Sequence, residues 1–213
     1  SAAIFANLLN AESQTIWKDV EGVMNADPKQ FADATFIDAL SYTEVIEMAY
    51  YGAQVIHPKT IKPLQNKNIP LHVRCFLQPE LAGTIISNKT DHKLPPIIVV
   101  KDKQVLMELS SKDFSFVGEN GISDLYELFA TVKIKPNLTQ TGAISILCCL
   151  DDRPDKIEKL ALAASELFDV QVKKDLTLLT IRHYTREKFD EQKKKKNILL
   201  TQRTTETVQV LMQ

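Results

Sequence analysis

The chain carries only three cysteines, Cys75, Cys148 and Cys149, and the last two are neighbours inside an apolar run. An odd, scattered set of this kind is no disulfide framework, and it fits a reducing compartment, read here as the cytoplasm. An excess of one charge is also missing: 26 Lys+Arg stand against 27 Asp+Glu, a formal net charge of -1. No global field therefore draws the chain onto nucleic acid or an anionic membrane. No run reaches the roughly 18 consecutive apolar residues that a membrane-spanning helix needs. The opening, SAAIFANLLNAE, has neither a basic leader nor a cleavage pattern, so it does not read as a signal peptide. It lacks an initiator Met, and Ile4, Phe5, Leu8 and Leu9 fall at helical spacing, so the chain reads as a fragment that begins in an amphipathic helix. What is present is ordinary: 44% hydrophobic and 25% charged residues in 213, enough for one or two domains with a real core.

Up to about Ser87 the pattern alternates short strands and helices. Thr15-Ile16-Trp17 reads as a strand, followed by DVEGVMNADPK, a loop rich in turn residues. Ser41-Tyr42-Thr43-Glu44 is a capping box, in which the Ser hydroxyl takes an early helix N–H and Glu44 reaches back. The helix that it opens carries Val45, Met48 and Ala49 on one face and stops at Gly52. Val55-Ile56 reads as a short strand, Pro58 as the first turn of a helix, and Leu71–Val73 and Gly83–Ile86 as further strands. That is an α/β segment with too few strands for a complete sheet.

Residues 88–96 are polar and end in Pro-Pro, the composition of a linker. Beyond them the pattern gives strands Ile97–Lys101 and Val105–Ser110, a helix Ile122–Val132, and strands Pro136–Thr139 and Ala143–Leu150. A helix Pro154–Phe168 and strand Val170–Lys173 follow. Strand Leu176–His183, a polar helix Arg186–Lys194, and a hairpin of Ile198–Gln202 with Thr207–Met212 close the chain. A βαββαβ set is thus followed by βαββ, and Ile97–Lys101 is the spare strand for the second sheet. The reading is two similar α+β units, one inserted into the other.

Ile16–Lys29, IWKDVEGVMNADPK, ends a strand in Asp19 and places Gly22 and Asp27-Pro28 in the loop beyond it, where open α/β sheets bind ligands. On physics alone an ordinary strand–turn–helix connection serves equally well. The segment resembles the aspartate kinase signature. Agreement continues through SYTEVIEMAYYGAQVIHPKTIKPL and IPLHV to GTIIS, and the remainder looks like that family's paired ACT domains. The resemblance implies an α/β plus α+β fold: residues 1–87 as the C-terminal part of an amino-acid-kinase (carbamate-kinase-like) catalytic domain and 88–96 as a linker. Residues 105–175 would form a first ferredoxin-like ACT domain, inserted into a second made of 97–104 and 176–213.

The activity implied is phosphorylation of the β-carboxylate of L-aspartate with MgATP, at the start of lysine, threonine and methionine synthesis. Residues matching the family's ATP pocket are Lys18, Asp19, Met24, Lys29, Gln54 and Val55. The family often has Thr, Tyr, Arg and Lys where this chain has Lys18, Met24, Lys29 and Gln54. Its Lys-containing Gly-rich motif, substrate-binding Glu and Arg-Gly-Gly-Ser-Asp segment have no counterpart in these 213 residues, so no catalytic residue is assigned and no activity is expected of them alone.

The resemblance also implies an effector site in the turn SFVGENGI facing KPNLTQTGA, with Ser115, Gly118, Asn120, Gly121, Ile122, Asn137, Thr141, Gly142 and Ala143 as its residues. Helix-start N–H groups there suit an amino acid's carboxylate, and Asn137 its ammonium. Lysine-inhibited members carry acidic residues where this chain has Asn137 and Ala143, so weak lysine binding, or another effector such as threonine, is expected. A homodimer through the ACT domains is implied; the alternative is an ACT scaffold that dimerises and binds no effector. A third possibility, a kinase for another carboxylate or a carbamate, keeps the fold.

Other candidates read blandly. His57, His72, His92 and His183 lack metal-like spacing, so no metal site is assigned. Cys148 and Cys149 read as strand packing, and the Lys193–Lys196 run beside Glu187, Asp190 and Glu191 as a solvated helix end.

Overall fold

The structure, a computed structural model, describes residues 2–89, 93–192 and 196–213. His92, the middle of the expected linker and Lys193–Lys195 lie outside the described residues. The chain divides into two compact units: Ser1–Val100 with Thr180–Lys194 and Gln202–Gln209, and Lys101–Leu179 with Lys195–Thr201 and Val210–Gln213.

The first unit begins with α1 (Ala2–Leu8), then β1 (Gln14–Lys18), β2 (Val23–Met24), β3 (Phe36–Ile37) and β4 (Ala39–Ser41). Helices α2 (Tyr42–Tyr51) and α3 (Pro58–Gln65) follow, then β5 (Leu71–Cys75) and β6 (Thr84–Ser87). A four-stranded sheet runs β1-β5-β6-β4, with β1 parallel to β5, β5 antiparallel to β6, and β4 parallel to β6. β2 and β3 form a separate antiparallel pair. Strand alternation decides the core: Leu71, Val73 and Cys75 of β5 are buried, while His72 and Arg74 between them are only half-buried. Leu71 and Val73 pack with Val45 and Met48 of α2 and Ile61 and Leu64 of α3.

Two local expectations fail here for physical reasons. Helix α1 forms, but Ile4, Phe5, Leu8 and Leu9 are exposed, and Ala3 and Ala6 are the residues that pack inward. The close approach to α3, where Asn7 Nδ2 donates to the Pro63 carbonyl at 2.6 Å, admits only small side chains. Val55–Ile56 is a bend rather than a strand, because the Gly52 reversal leaves it without a partner strand.

The rest of the chain is β7 (Ile97–Ser111), α4 (Gly118–Val132), β8 (Pro136–Thr141), β9 (Ser145–Asp151), α5 (Pro154–Ala164), β10 (Phe168–Arg182), α6 (Arg186–Gln192), β11 (Ile198–Arg203) and β12 (Thr207–Met212). A six-stranded sheet runs β11-β12-β10-β7-β9-β8. The separate strands expected around residues 102–104 and 174–175 are continuous. Lys103 (φ 54) and Asp175 (φ 59) take left-handed conformations that kink β7 and β10 without ending them. Helix α4 begins four residues before the expected Ile122, and α5 stops four before Phe168. In the second unit Val105, Met107 and Leu109 of β7 meet Leu125 and Phe129 of α4 and Ile157 and Leu160 of α5. The other sheet face packs Leu138, Cys149, Leu176, Leu178, Leu200 and Leu211.

Candidate functional site

In the first unit the loop after β1 is held by residues whose importance periodicity does not reveal. Thr84, fully buried, accepts from the Val23 amide at 2.8 Å and donates to the Ile37 carbonyl at 2.6 Å, so one hydroxyl ties β2 and β3 to β6. Gly22 permits that approach: a Cβ there would lie 2.5 Å from the Phe36 ring and 2.6 Å from Thr84 Oγ1. Asn25 accepts from the Thr35 amide at 2.6 Å and donates to the Pro96 carbonyl at 3.0 Å, closing the loop at its far end. Asp27 caps its own turn by accepting from the Lys29 amide at 2.9 Å.

Within this frame the structure joins two of the six nucleotide-side residues directly. Lys18, at the C-terminal end of β1, donates from Nζ to the Val55 carbonyl at 2.9 Å. Met24 sits half-buried in β2, and Asp19, Lys29 and Gln54 are exposed. Lys18, the last residue of β1, and Asp19, the next residue, stand at the C-terminal end of a strand parallel to β5, where open α/β sheets commonly take ligands.

The α2 capping box is only half made. Ser41 Oγ accepts from the Glu44 amide at 3.0 Å, as expected, but the Glu44 carboxylate does not reach back. It turns to Arg182, which donates from Nε at 2.6 Å and from Nη2 at 2.8 Å, and His183 Nε2 lies 3.0 Å away. Burial by itself would raise the Glu44 carboxyl, but the hydrogen bonds from Arg182 and His183, with the charge on Arg182, hold it below the ordinary carboxylate range. Sequence reading misses Arg182 because nothing local marks it.

In the second unit the nine effector-side residues separate. The start of α4 meets the β8–β9 turn: the Val117 amide donates to the Ala143 carbonyl at 3.0 Å, and the Gly142 amide to the Ser145 carbonyl at 2.8 Å. Gly118 stands at φ 52 with nothing within 4 Å of where a Cβ would be, so its backbone conformation rather than space asks for glycine. Ser115 belongs to a knot around Asp113. Bonds from the Ser115 hydroxyl and amide, then the Ser111 hydroxyl, draw that carboxyl down to about 2. Asn120, Gly121 and Ile122 lie in the first turns of α4, and Thr141 ends β8.

Asn137 is not with them. It stands at the other end of β8, where the pairing with β9 slips between Pro136 and Leu138. That bulge re-aims the side chain. Asn137 Nδ2 donates to Gln104 Oε1 at 2.7 Å and Asp151 Oδ1 at 2.8 Å, and its Oδ1 accepts from Lys101 Nζ at 2.8 Å. Both polar atoms of the Asn137 side chain are thus engaged within the chain, Nδ2 through both of its N–H groups. Burial tends to raise the Asp151 carboxyl, but bonds from Asn137 and Gln104, with the charges of Lys101 and Arg153, lower it overall.

All three cysteines are free and buried, and burial pushes the Cys148 and Cys149 thiols up to about 12, which disfavours the thiolate at those two positions. Among the described residues no group of three or more His, Cys, Asp or Glu is placed to hold a metal ion, and no helix is long and apolar enough to cross a membrane.

A family model described as the amino acid kinase family matches residues 1–75. Lysine-sensitive aspartokinase 3 of Escherichia coli K12 is 29% identical over 192 residues, spanning 85% of this chain and 42% of that protein. Aspartokinase 1, chloroplastic, of Arabidopsis thaliana is 30% identical over 170 residues, 78% of this chain and 29% of its own length. The crystal structure of E. coli aspartokinase III in complex with aspartate and ADP aligns with a TM-score of 0.83 at 26% identity, over 99% of this chain and 51% of that one. The chain belongs to the aspartokinase family. It spans less than half the length of the curated relatives that it matches. The aspartokinase likeness extends past the 75 residues of the kinase-family match into the described β7–β12 region.

Proposed function

We propose that this chain forms part of an enzyme that phosphorylates the β-carboxylate of L-aspartate with MgATP, and that it contributes the nucleotide side of the catalytic domain. Residues 105–175 and the discontinuous 97–104 with 176–213 are read as two ACT domains that make the enzyme responsive to an amino acid. What carries the reading is the alignment of 99% of the chain with an aspartokinase bound to aspartate and ADP. ATP supplies the transferred phosphoryl group, and Mg2+ spreads its charge. Lys18, anchored on Val55, stands at the strand end, Lys29 meets phosphate charge from the loop, and Asp19 accepts from a nucleotide hydroxyl or amide. Met24 and Gln54 line the same frame.

These 213 residues alone do not turn over, because the Lys-bearing Gly-rich motif, the Glu and the Arg-Gly-Gly-Ser-Asp segment that position and neutralise the transferred group are not among them. Titration with ADP tests the nucleotide side: saturable binding weakened by Lys18→Ala and Asp19→Ala is expected, and binding indifferent to both overturns the assignment. The full-length enzyme is expected to phosphorylate aspartate; activity on another carboxylate or a carbamate alone overturns the substrate.

The regulatory reading places a lysine or threonine effector at the start of α4 and the β8–β9 turn, in a homodimer held by the ACT domains. A second reading has an observation in its favour: with Asn137 already engaged by Lys101, Gln104 and Asp151, the region is a dimer scaffold that binds no effector. Calorimetry with lysine and threonine separates them, since saturable heat supports the sensor and silence from the folded chain supports the scaffold. The buried free thiols suit a reducing compartment, and we assign the cytoplasm.

A further inference from the structure

The cluster around Glu44 takes no part in the nucleotide or effector chemistry proposed above, yet it is the most completely desolvated set of charges described in the first unit. Glu44 and Glu47 lie one turn apart on α2, and the Glu44 side chain is only 6% exposed. Arg182 grips Glu44 with a parallel fork at 2.6 and 2.8 Å, and its Nη1 donates to Glu47 Oε2 at 3.3 Å and Thr207 Oγ1 at 3.0 Å. Glu206 adds a more distant carboxylate, 3.9 Å from Nη2. A buried ion pair is a poor way to gain stability, since apolar residues of equal volume serve as well. What a planar fork supplies that apolar packing does not is direction: two parallel bonds on one carboxylate and a third on the next turn fix a helix in depth and in rotation.

The far end of α2 shows what that orientation controls. Gly52, at φ 112, reverses the chain, and the Ala53 amide donates back to the Met48 carbonyl at 2.9 Å, which locks the reversal. Two residues later the Val55 carbonyl receives Lys18 Nζ at 2.9 Å. One rigid helix and one locked turn therefore join Glu44 to Val55. We propose that Arg182 is a positioning residue: by fixing α2 it places the 53–57 bend, and with it the Val55 carbonyl, against Lys18. Its functional meaning rests on the nucleotide reading of Lys18 and Val55; its structural content does not.

Hydrogen exchange of the full chain tests it. Arg182→Lys keeps the charge and loses the fork. Amides of residues 53–57 are expected to exchange at least ~10-fold faster in the folded variant, while β9 in the second unit is unchanged. Thr207→Val, which removes one contact on Nη1, is expected to give a smaller rise in the same segment, and it carries the test if Arg182→Lys does not fold. Exchange that rises only near residues 42–48 and 180–184, with 53–57 as in the parent, overturns the proposal. Parallel ADP titration of the unaltered chain judges the nucleotide reading separately: absent ADP binding removes that reading, while the exchange data still decide whether Arg182 sets the bend.

Discussion

The two polar clusters, one in each unit, are built on opposite principles. Around Glu44 a full negative charge is taken almost out of water and neutralised by a full positive one, with His183 and Thr207 completing the shell. Around Asp151, whose side chain remains 43% exposed, the work is done by two neutral amides, Asn137 and Gln104, with Lys101 reaching in behind them. The first arrangement tolerates no missing partner, because each charge depends on the other to offset desolvation. The second relaxes, since water can replace any one donor. The contrast marks the Glu44 cluster as a fixed joint and the Asp151 cluster as a place where chemistry can be exchanged.

The sharpest way to break the comparison is Arg182→Met, which strands the Glu44 carboxylate. We expect a loss of about 3–5 kcal/mol in urea unfolding, and a much smaller loss when Glu44→Met is added. Equal losses in the single and double variants would show that the charge pair is not the source. Next in size is Thr84→Val, isosteric but unable to bond the Val23 amide or the Ile37 carbonyl; about 2 kcal/mol should disappear from the same measurement.

Asn137→Ala should cost only about 1 kcal/mol, because solvent screens the partly exposed Asp151. The sign of its pH dependence follows from a folded carboxyl held below its ordinary 3.8. That stabilisation is complete above the unfolded value and lost as pH falls through the folded one, so the gap between parent and variant should close below about pH 4. A gap that widens in acid would contradict the role assigned to Asn137. Smallest is Gly118→Ala, which meets no steric obstacle but holds a left-handed backbone. A loss near 1 kcal/mol or less in thermal unfolding is expected.

Much of this molecule was legible from its residues. The Ser41 cap and the Gly52 stop bound α2 as the side chains require, Pro58 opens α3, and the alternation of β5 separates its core face from its outer face. Two strand boundaries vanished where single residues with positive φ, Lys103 and Asp175, bend a strand that local pattern reads as two. The loop after β1 was visible as a motif, but not the part played by Thr84, which holds it from β6, or by Asn25 within it, which ties it to Thr35 and Pro96. The residues expected on the effector side were visible as a list, yet Asn137 stands at the opposite end of β8 from Thr141, away from the start of α4 and the β8–β9 turn.

What the sequence determined by itself is whatever depends on neighbours along the chain: helix starts and stops, strand alternation, the loop after β1 and the near-zero net charge. These are set by dihedral preference, caps and side-chain period, which act within a few residues. Only the tertiary structure decided that α1 buries its alanines, that Asn137 is met by Lys101, and that Glu44 abandons its capping role for an arginine 138 positions away. Each of those outcomes is a competition for a buried polar or apolar surface, and the competitors meet only once the chain has folded.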